Sequence, residues 1–270
     1  MKIFILIKQV PNTTQVKLDQ KTGSLIREGV EAIMNPEDRH ALEAGVGLKE
    51  GLGQEAGVEV TALTMGPPQA VDILTEALGM GADGGVLLTD RLFAGSDTWA
   101  TSLTLARAVE VLGGADLVLC GRQAIDGDTA QIGPQVAEAL GLAQATGVFE
   151  MELSQDQLKV SRQVEAGYEK LELTLPALVT VTGRLNRPRY PQVADLLAAC
   201  EPKARIRVMN AADLGFKADE IGLEGSLTQV IKTFSPKAAR EGVIIDGPPG
   251  EAAAELVARL KGAKVISGGA

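Results

Sequence analysis

The opening of the chain sets the tightest constraint on its fold. Ile3-Phe4-Ile5-Leu6-Ile7 is apolar at every position, short, and followed at once by the polar loop Lys8-Gln9-Val10-Pro11-Asn12-Thr13. An unbroken apolar run of this length suits a strand buried on both faces of a parallel sheet, and such a sheet needs crossover connections. The following residues supply them. Asn35-Pro36-Glu37-Asp38 combines a capping residue, a proline at the first helical position and acids in the first turn, which predicts a helix to about Glu50. Val58–Met65 reads as a second strand, Gln69–Leu78 as a helix and Val86–Thr89 as a third strand. Ser96-Asp97-Thr98 caps a helix to about Leu112, Leu117–Cys120 is a fourth strand, and Asp128-Thr129 starts a helix through about Leu140. The first 145 residues therefore read as a doubly wound α/β sheet. One small hairpin, Val16–Leu18 with Ser24–Ile26 around Asp19–Gly23, is expected as an elaboration after the first strand.

The pattern then changes. Phe149–Leu153, Leu158–Val164, Tyr168–Leu175 and Leu178–Thr182 are closely spaced runs with little room for helix between them, and antiparallel strands are expected. A helix-like Val193–Cys200 follows. Residues 209–250 lack periodicity and carry several Gly and Pro, so an arm that packs on something else is expected, closed by an amphipathic helix Glu251–Leu260. The expected division is a nucleotide-binding α/β domain over 1–205, with its antiparallel extension from about 147, and a C-terminal arm over 206–270.

Composition narrows the function. A net charge of −9 opposes the broad basic surface that nucleic-acid binding needs. Cys120 and Cys200, with a single histidine, His40, form neither a disulfide framework nor a zinc spacing. The opening run is too short for a signal segment and no run reaches a membrane span, so a cytoplasmic protein without membrane insertion is expected. Only 3% of residues are aromatic, so few rings are available to stack on a cofactor, which must be held mainly by backbone and polar groups.

Ligands of open α/β sheets bind outside the carboxyl ends of the strands, here Lys8–Thr13, Met65–Pro68, Asp90–Thr98 and Gly121–Pro134. The last is the most informative: its glycines permit close backbone approach, and amide groups near a helix start suit a phosphate. It lacks the Walker lysine and the dinucleotide fingerprint, so a phosphate cradle and an ordinary capped loop both remain open. Asp126 and Asp128 read equally as ribose ligands or as a cap and a solvated turn, and Thr129 as a cap or a phosphate donor. His40 and Cys120 read as packing residues, and neither a catalytic residue nor a metal site is assigned.

The strand Leu117–Cys120 with Gly121-Arg122-Gln123-Ala124-Ile125-Asp126 and Asp128-Thr129-Ala130-Gln131 is similar to the signature of electron transfer flavoprotein β subunits. The likeness extends to Lys8-Gln9-Val10-Pro11, Met34-Asn35-Pro36, Gly66-Pro67, Met80-Gly81-Ala82-Asp83 and Arg184-Leu185-Asn186-Arg187-Pro188-Arg189-Tyr190. The resemblance implies an adenine nucleotide alpha hydrolase-like fold and an α subunit as partner. The β subunit would hold either structural AMP or, in the electron-bifurcating type, an FAD that takes hydride from NADH and passes electrons to a dehydrogenase and to a low-potential acceptor such as ferredoxin. The dehydrogenase would be a flavin enzyme of the acyl-CoA or hydroxy-acid type. Gly127-Asp128-Thr129-Ala130-Gln131-Ile132-Gly133-Pro134 resembles the bifurcating group, although Asn12 stands where that group commonly has Asp.

Carried over by resemblance, the adenosine end would meet Leu6, Lys8, Asn35, Pro36, Glu37, Asp38 and Met65. The pyrophosphate would lie on Gly121, Arg122, Gln123, Asp126, Gly127, Asp128 and Thr129, with Gln131, Ile132, Gly133 and Pro134 alongside. Asp97 and Thr98 would reach the flavin ring or serve only as a helix cap. Arg189, Tyr190 and Val193 would dock the dehydrogenase. The function classes carried forward are an NADH-oxidising flavoprotein subunit, a module that holds AMP and docks a dehydrogenase, and an ATP-sensing or adenylate-forming enzyme.

Overall fold

The computed structural model describes residues 1–12, 31–201, 205–231 and 242–266. The expected hairpin over 16–26 lies outside the described residues. The elements in chain order are β1 (Lys2–Leu6), β2 (Gln9–Pro11), β3 (Ala32–Met34), α1 (Pro36–Leu52), β4 (Glu59–Met65), α2 (Val71–Gly79), β5 (Gly84–Leu88), α3 (Thr98–Val111) and β6 (Leu117–Gly121). Then follow α4 (Ile132–Leu140), β7 (Ala143–Ser154), β8 (Gln157–Val164), β9 (Gly167–Thr174), β10 (Ala177–Val181), α5 (Val193–Ala199), β11 (Ile206–Met209) and α6 (Pro249–Gly262).

Nine strands form one sheet in the order β11-β5-β4-β1-β6-β10-β7-β8-β9, parallel from β11 through β7 and antiparallel from β7 through β9. β1 sits inside the sheet and is buried on both faces, which accounts for its unbroken apolarity. Ile3 and Ile5 face a core layer shared with Leu42 and Val46 of α1 and Ile73 and Leu74 of α2. Phe4 and Leu6 face the opposite layer, with Leu105 and Val109 of α3 and Val136 of α4. Burial of each such side chain contributes roughly 1.5–3 kcal/mol, so the two helical layers hold the strand from both sides. The described residues fall into two compact units, Met1–Ile231 and Lys232–Ala270. β11, at the start of the stretch expected as an arm, pairs with β5 as the edge of the sheet. In the second unit, α6 carries an Arg259–Glu255 ion pair of 2.7 Å one turn apart. Among the described residues no helix is long and apolar enough to cross a membrane.

Two local expectations are corrected. The run Leu178–Thr182 is not antiparallel: β10 lies between β6 and β7 and runs parallel to both. Ala177-Leu178-Val179-Thr180-Val181 is buried at every position, like Ile3–Leu6 of β1, whereas β9 alternates. Continuity against alternation is the signal that separates inner parallel strands from the hairpin strands beside them. The helix expected from Asp128-Thr129 begins later, at Ile132, because Asp128 and Ala130 both have φ of 54°. That left-handed conformation cannot continue into a right-handed helix.

α4 lies so close to the sheet that a methyl group at Gly133 would clash with Thr180 Cγ2 and sit 3.1 Å from Cys120 Sγ. Gly133→Ala is expected to destabilise the fold by about 1–3 kcal/mol, the usual cost of overpacking. A thermal melt of the variant against the native protein checks this, with a lower midpoint expected.

Candidate functional site

The order of the sheet defines where a ligand can enter. From β1 the chain moves to β4 and β5 on one side, then crosses to β6 on the other, so the connections leaving β1 and β6 diverge above their carboxyl ends. Such a switch point is the ligand crevice of open α/β sheets. The loop after β1 and the Gly121–Pro134 loop border it here.

The N-terminal turn of α1 shapes this crevice through side chains. Asp38 is buried and accepts hydrogen bonds from Lys8 N at 2.8 Å and Gly121 N at 3.0 Å, joining the ends of β1 and β6. Glu37 accepts from Gln123 N at 3.2 Å, and its carboxylate lies 3.7 Å from Arg122 Nε. Asn35 begins the helix but does not cap it with its side chain. Instead its Nδ2 donates to Gln123 O at 3.0 Å and its Oδ1 accepts from Ile125 N at 3.1 Å. The capping residue read from the sequence therefore acts across 90 residues of chain, where a buried amide can satisfy both a donor and an acceptor. Pro36 takes the first helical position, where its missing N–H costs nothing.

The far side of the loop is held by Lys8, whose Nζ lies 2.7 and 2.8 Å from the carboxylate oxygens of Asp126. Gln123 donates through Nε2 to Asp128. Beyond them Asp128 and Ala130 hold their left-handed conformations in an exposed stretch that includes Gly127 and Thr129. Non-glycine residues in that region cost about 1–3 kcal/mol each, and alternating helical and left-handed residues form concave amide nests for anions. The loop passes through Gln131, which accepts from Thr98 Oγ1 at 2.9 Å, into Ile132, Gly133 and Pro134 in the first turn of α4. Gly121 has no room for a side chain: a methyl group would sit 2.5 Å from Asp38 Oδ1 and 2.9 Å from the Glu37 carbonyl carbon.

The remaining residues assigned by resemblance fall in three places. Leu6 and Met65 end β1 and β4 at the carboxyl edge of the sheet, Leu6 buried and Met65 half-buried. Asp97 caps α3 by accepting from Ala100 N at 3.0 Å. Its other oxygen accepts from Thr228 N and Oγ1, both at 2.8 Å, and its own N–H donates to Ser226 Oγ at 2.8 Å. Burial acts to raise its pKa, but together these donors hold the carboxyl below its usual range. Arg189, Tyr190 and Val193 lie apart from the crevice, beside α1 and α2. The Arg189 guanidinium pairs with Glu43 and Glu50, and its hydrogen bonds hold the Glu50 carboxyl below the usual range. His40 packs as expected of a structural histidine, with Nδ1 3.0 Å from Asn186 Oδ1. Cys120 is buried, and desolvation pushes its thiol pKa upward, which leaves it unreactive.

Sequence reasoning missed Ser226 and Thr228 on Asp97, and Glu43 and Glu50 on Arg189. Only the second pair leaves a trace, two acids seven residues apart and so on one face of a helix. Among the described residues no group of three or more His, Cys, Asp or Glu is placed to hold a metal.

A doubly wound sheet with an amide-rich loop at its switch point is the architecture of open α/β proteins that take ligands at the carboxyl ends of their strands. Residues 22–214 match the electron transfer flavoprotein domain. The chain is 47% identical to the electron transfer flavoprotein subunit beta of Thermoanaerobacterium thermosaccharolyticum, over 98% of this chain and 100% of that protein. It is 46% identical to the caffeyl-CoA reductase-Etf complex subunit CarD of Acetobacterium woodii, over 98% and 100%. It is 40% identical to the acryloyl-CoA reductase electron transfer subunit gamma of Anaerotignum propionicum, again over 98% and 100%. The chain belongs to the electron transfer flavoprotein family, as a β subunit.

Two outcomes are expected. Gly121→Ala forces a methyl group against a backbone carbonyl carbon and a buried carboxylate, and should cost about 1–3 kcal/mol in a denaturation experiment. For Asp38, burial pushes the pKa up to about 7, against the Asn35, Lys8 and Gly121 hydrogen bonds and the Lys8 charge, which lower it. The native state then binds the extra proton between the ordinary value of 3.8 and about 7. This contribution to stability is complete below the lower value and is lost as pH rises through the upper one. Denaturation midpoints of the native protein should show this fall, and Asp38→Asn, which does not titrate, should lack it.

Proposed function

We propose that the crevice between β1 and β6 holds FAD, and that the subunit takes hydride from NADH for electron bifurcation. The observation that carries the reading is the Gly121–Pro134 loop, built at the switch point with two strained left-handed residues and tied down by Asn35, Glu37 and Asp38. Strain persists where the surroundings over-determine it, and an exposed amide-rich turn next to a helix start suits a pyrophosphate. The lack of space at Gly121 is used by Asp38 and Glu37, so this glycine serves the cradle rather than the ligand directly. Support for FAD over AMP comes from the Gly127–Pro134 motif and from the likeness to a subunit of the caffeyl-CoA reductase-Etf complex.

In this reading the pyrophosphate lies along Gly121–Thr129, with Gln131–Pro134 alongside; the amides of Gly121, Gln123 and Ile125 are taken by Asp38, Glu37 and Asn35, so the ligand meets the exposed edge at Gly127 and Thr129. Leu6, the Asn35–Asp38 turn and Met65 receive the adenosine end. Lys8 stays on Asp126 and sets the width of the loop, and Asp97 and Thr98 border the ring side. FAD, when bound, supplies the acceptor for the hydride's two electrons, which then part toward a high-potential and a low-potential acceptor. The protein's residues orient the two reactants and exclude water; no acid–base pair is needed.

The partners in this reading are the α subunit, on which the stretch beyond β11 packs as an arm, and a flavin dehydrogenase. Names of relatives that include caffeyl-CoA and acryloyl-CoA reductase favour an acyl-CoA type over a hydroxy-acid type. Tyr190 and Val193, 85% and 71% exposed, are the apolar surface that would dock it. The low-potential acceptor is a ferredoxin-like carrier, and the compartment the cytoplasm.

Co-expression with the matching α subunit, acid release and counting of nucleotides tests the proposal. Two FAD and no AMP per heterodimer are expected, with bleaching of flavin absorbance on NADH titration. One FAD with one AMP would replace the reading by a subunit that holds a structural nucleotide and docks a dehydrogenase.

A further inference from the structure

The segment that carries Tyr190 and Val193 is fastened to the helical layer by an unusually complete set of polar contacts. Arg189 donates from Nε and Nη2 to Glu43 at 2.9 and 3.0 Å, and from Nη1 and Nη2 to Glu50 at 2.6 and 2.8 Å. Its backbone N–H adds a bond to Glu43 at 3.0 Å. The guanidinium is thus bidentate twice over, with both carboxylates on one face of α1. Three residues earlier, Asn186 donates to His40 O at 2.9 Å on the same helix. Three residues later, Gln192 N donates to Gly79 O at 2.8 Å at the end of α2. There Leu196 lies so close that a methyl group at Gly79 would sit 2.7 Å from its Cδ2.

Between and beyond these anchors the apolar side chains are left outside. Tyr190 is 85% exposed, Val193 71% and Leu197 67%. Tyr190 on the fastened segment, and Val193 with Leu197 one turn apart on α5, are large apolar groups held in water, as on a surface awaiting a partner. A patch on a loose segment would have to order on binding, at a cost in affinity; one already held by fixed contacts would not.

We propose that Arg189 is a positioning residue for electron-acceptor docking: its double grip on Glu43 and Glu50 pre-orders residues 186–199 so that Tyr190, Val193 and Leu197 form a rigid anchor. This rests on the docking role given above to Tyr190 and Val193. The grip is separate from the nucleotide crevice, since Glu43 and Glu50 lie further along α1 than the Asn35–Asp38 turn. A lysine cannot replace the arginine, because an ammonium is a point charge without the planar fork that two carboxylates require here.

The test uses the α/β heterodimer with Glu43→Gln and Glu50→Gln together, and a purified acyl-CoA dehydrogenase flavoenzyme as electron acceptor. Amide hydrogen exchange over 186–199 is expected to accelerate about tenfold, and KM for the flavoenzyme to rise about tenfold, equivalent to 1.4 kcal/mol. kcat and nucleotide content should stay unchanged, and Arg189→Lys should raise exchange and KM in the same way. Unchanged exchange, or unchanged KM, in the double variant overturns the positioning role. Tyr190→Ser with Val193→Ser examines the docking reading separately. If that variant leaves KM unchanged, the docking surface itself is misassigned; if it raises KM while the Glu43 and Glu50 variant does not, only the grip of Arg189 is wrong.

Discussion

Asp38 accepts one amide hydrogen from the loop after β1 and one from the end of β6, and so joins the two strands whose divergence opens the crevice. The remainder of the site is arranged around that bridge. With Asp38 in place, Glu37 and Asn35 reach the amides and carbonyl of Gln123 and the amide of Ile125, and the Gly121–Ile125 backbone is held from one side without using its exposed edge. A buried carboxylate is costly unless its lone pairs are occupied, and here the backbone occupies them. The cost of burying Asp38 is therefore coupled to the geometry of the loop, so that a shift of β1 against β6 would leave the buried carboxyl without its donors.

α1 has a second task further along its length. His40, Glu43 and Glu50 fasten the segment that leads from β10 to α5, through Asn186 and Arg189. One helix thus carries the polar contacts of the Gly121–Pro134 loop at its start and those of the apolar patch along its flank. A rigid element is suited to this, because a helix transmits position along its axis with little loss, whereas a loop of the same length would not hold two sites to fixed places.

Much of the architecture was legible from β1 to α4. The unbroken run Ile3–Ile7 and the capped helices imply inner parallel strands with crossovers, and the sheet has them. The glycine loop was placed at the carboxyl end of a strand by the sequence pattern, and it follows β6 there. Where the reading failed, the cause was competition between local and non-local partners. Asp128-Thr129 has the chemistry of a helix start, yet the hydrogen bond from Asp128 N to Ala124 O and the left-handed residues delay the helix to Ile132. Likewise Asn35 has the chemistry of a cap, yet its amide satisfies a loop distant in sequence. β10 follows a hairpin and so reads as antiparallel, yet its burial at every position is that of an inner parallel strand.

The sequence by itself determined the alternation of strands and helices, the buried strand at the centre, and the glycine positions that allow close approach, because periodicity and steric freedom are properties of short stretches of chain. The tertiary structure alone decided which carboxylate serves which backbone amide. Asp38 on Lys8 and Gly121, Asp97 on Thr228, and Arg189 between Glu43 and Glu50 each join residues far apart in the chain. Hydrogen bonds and ion pairs act over a few ångströms, so such partners are set only when packing of the apolar layers has brought the strands and helices together.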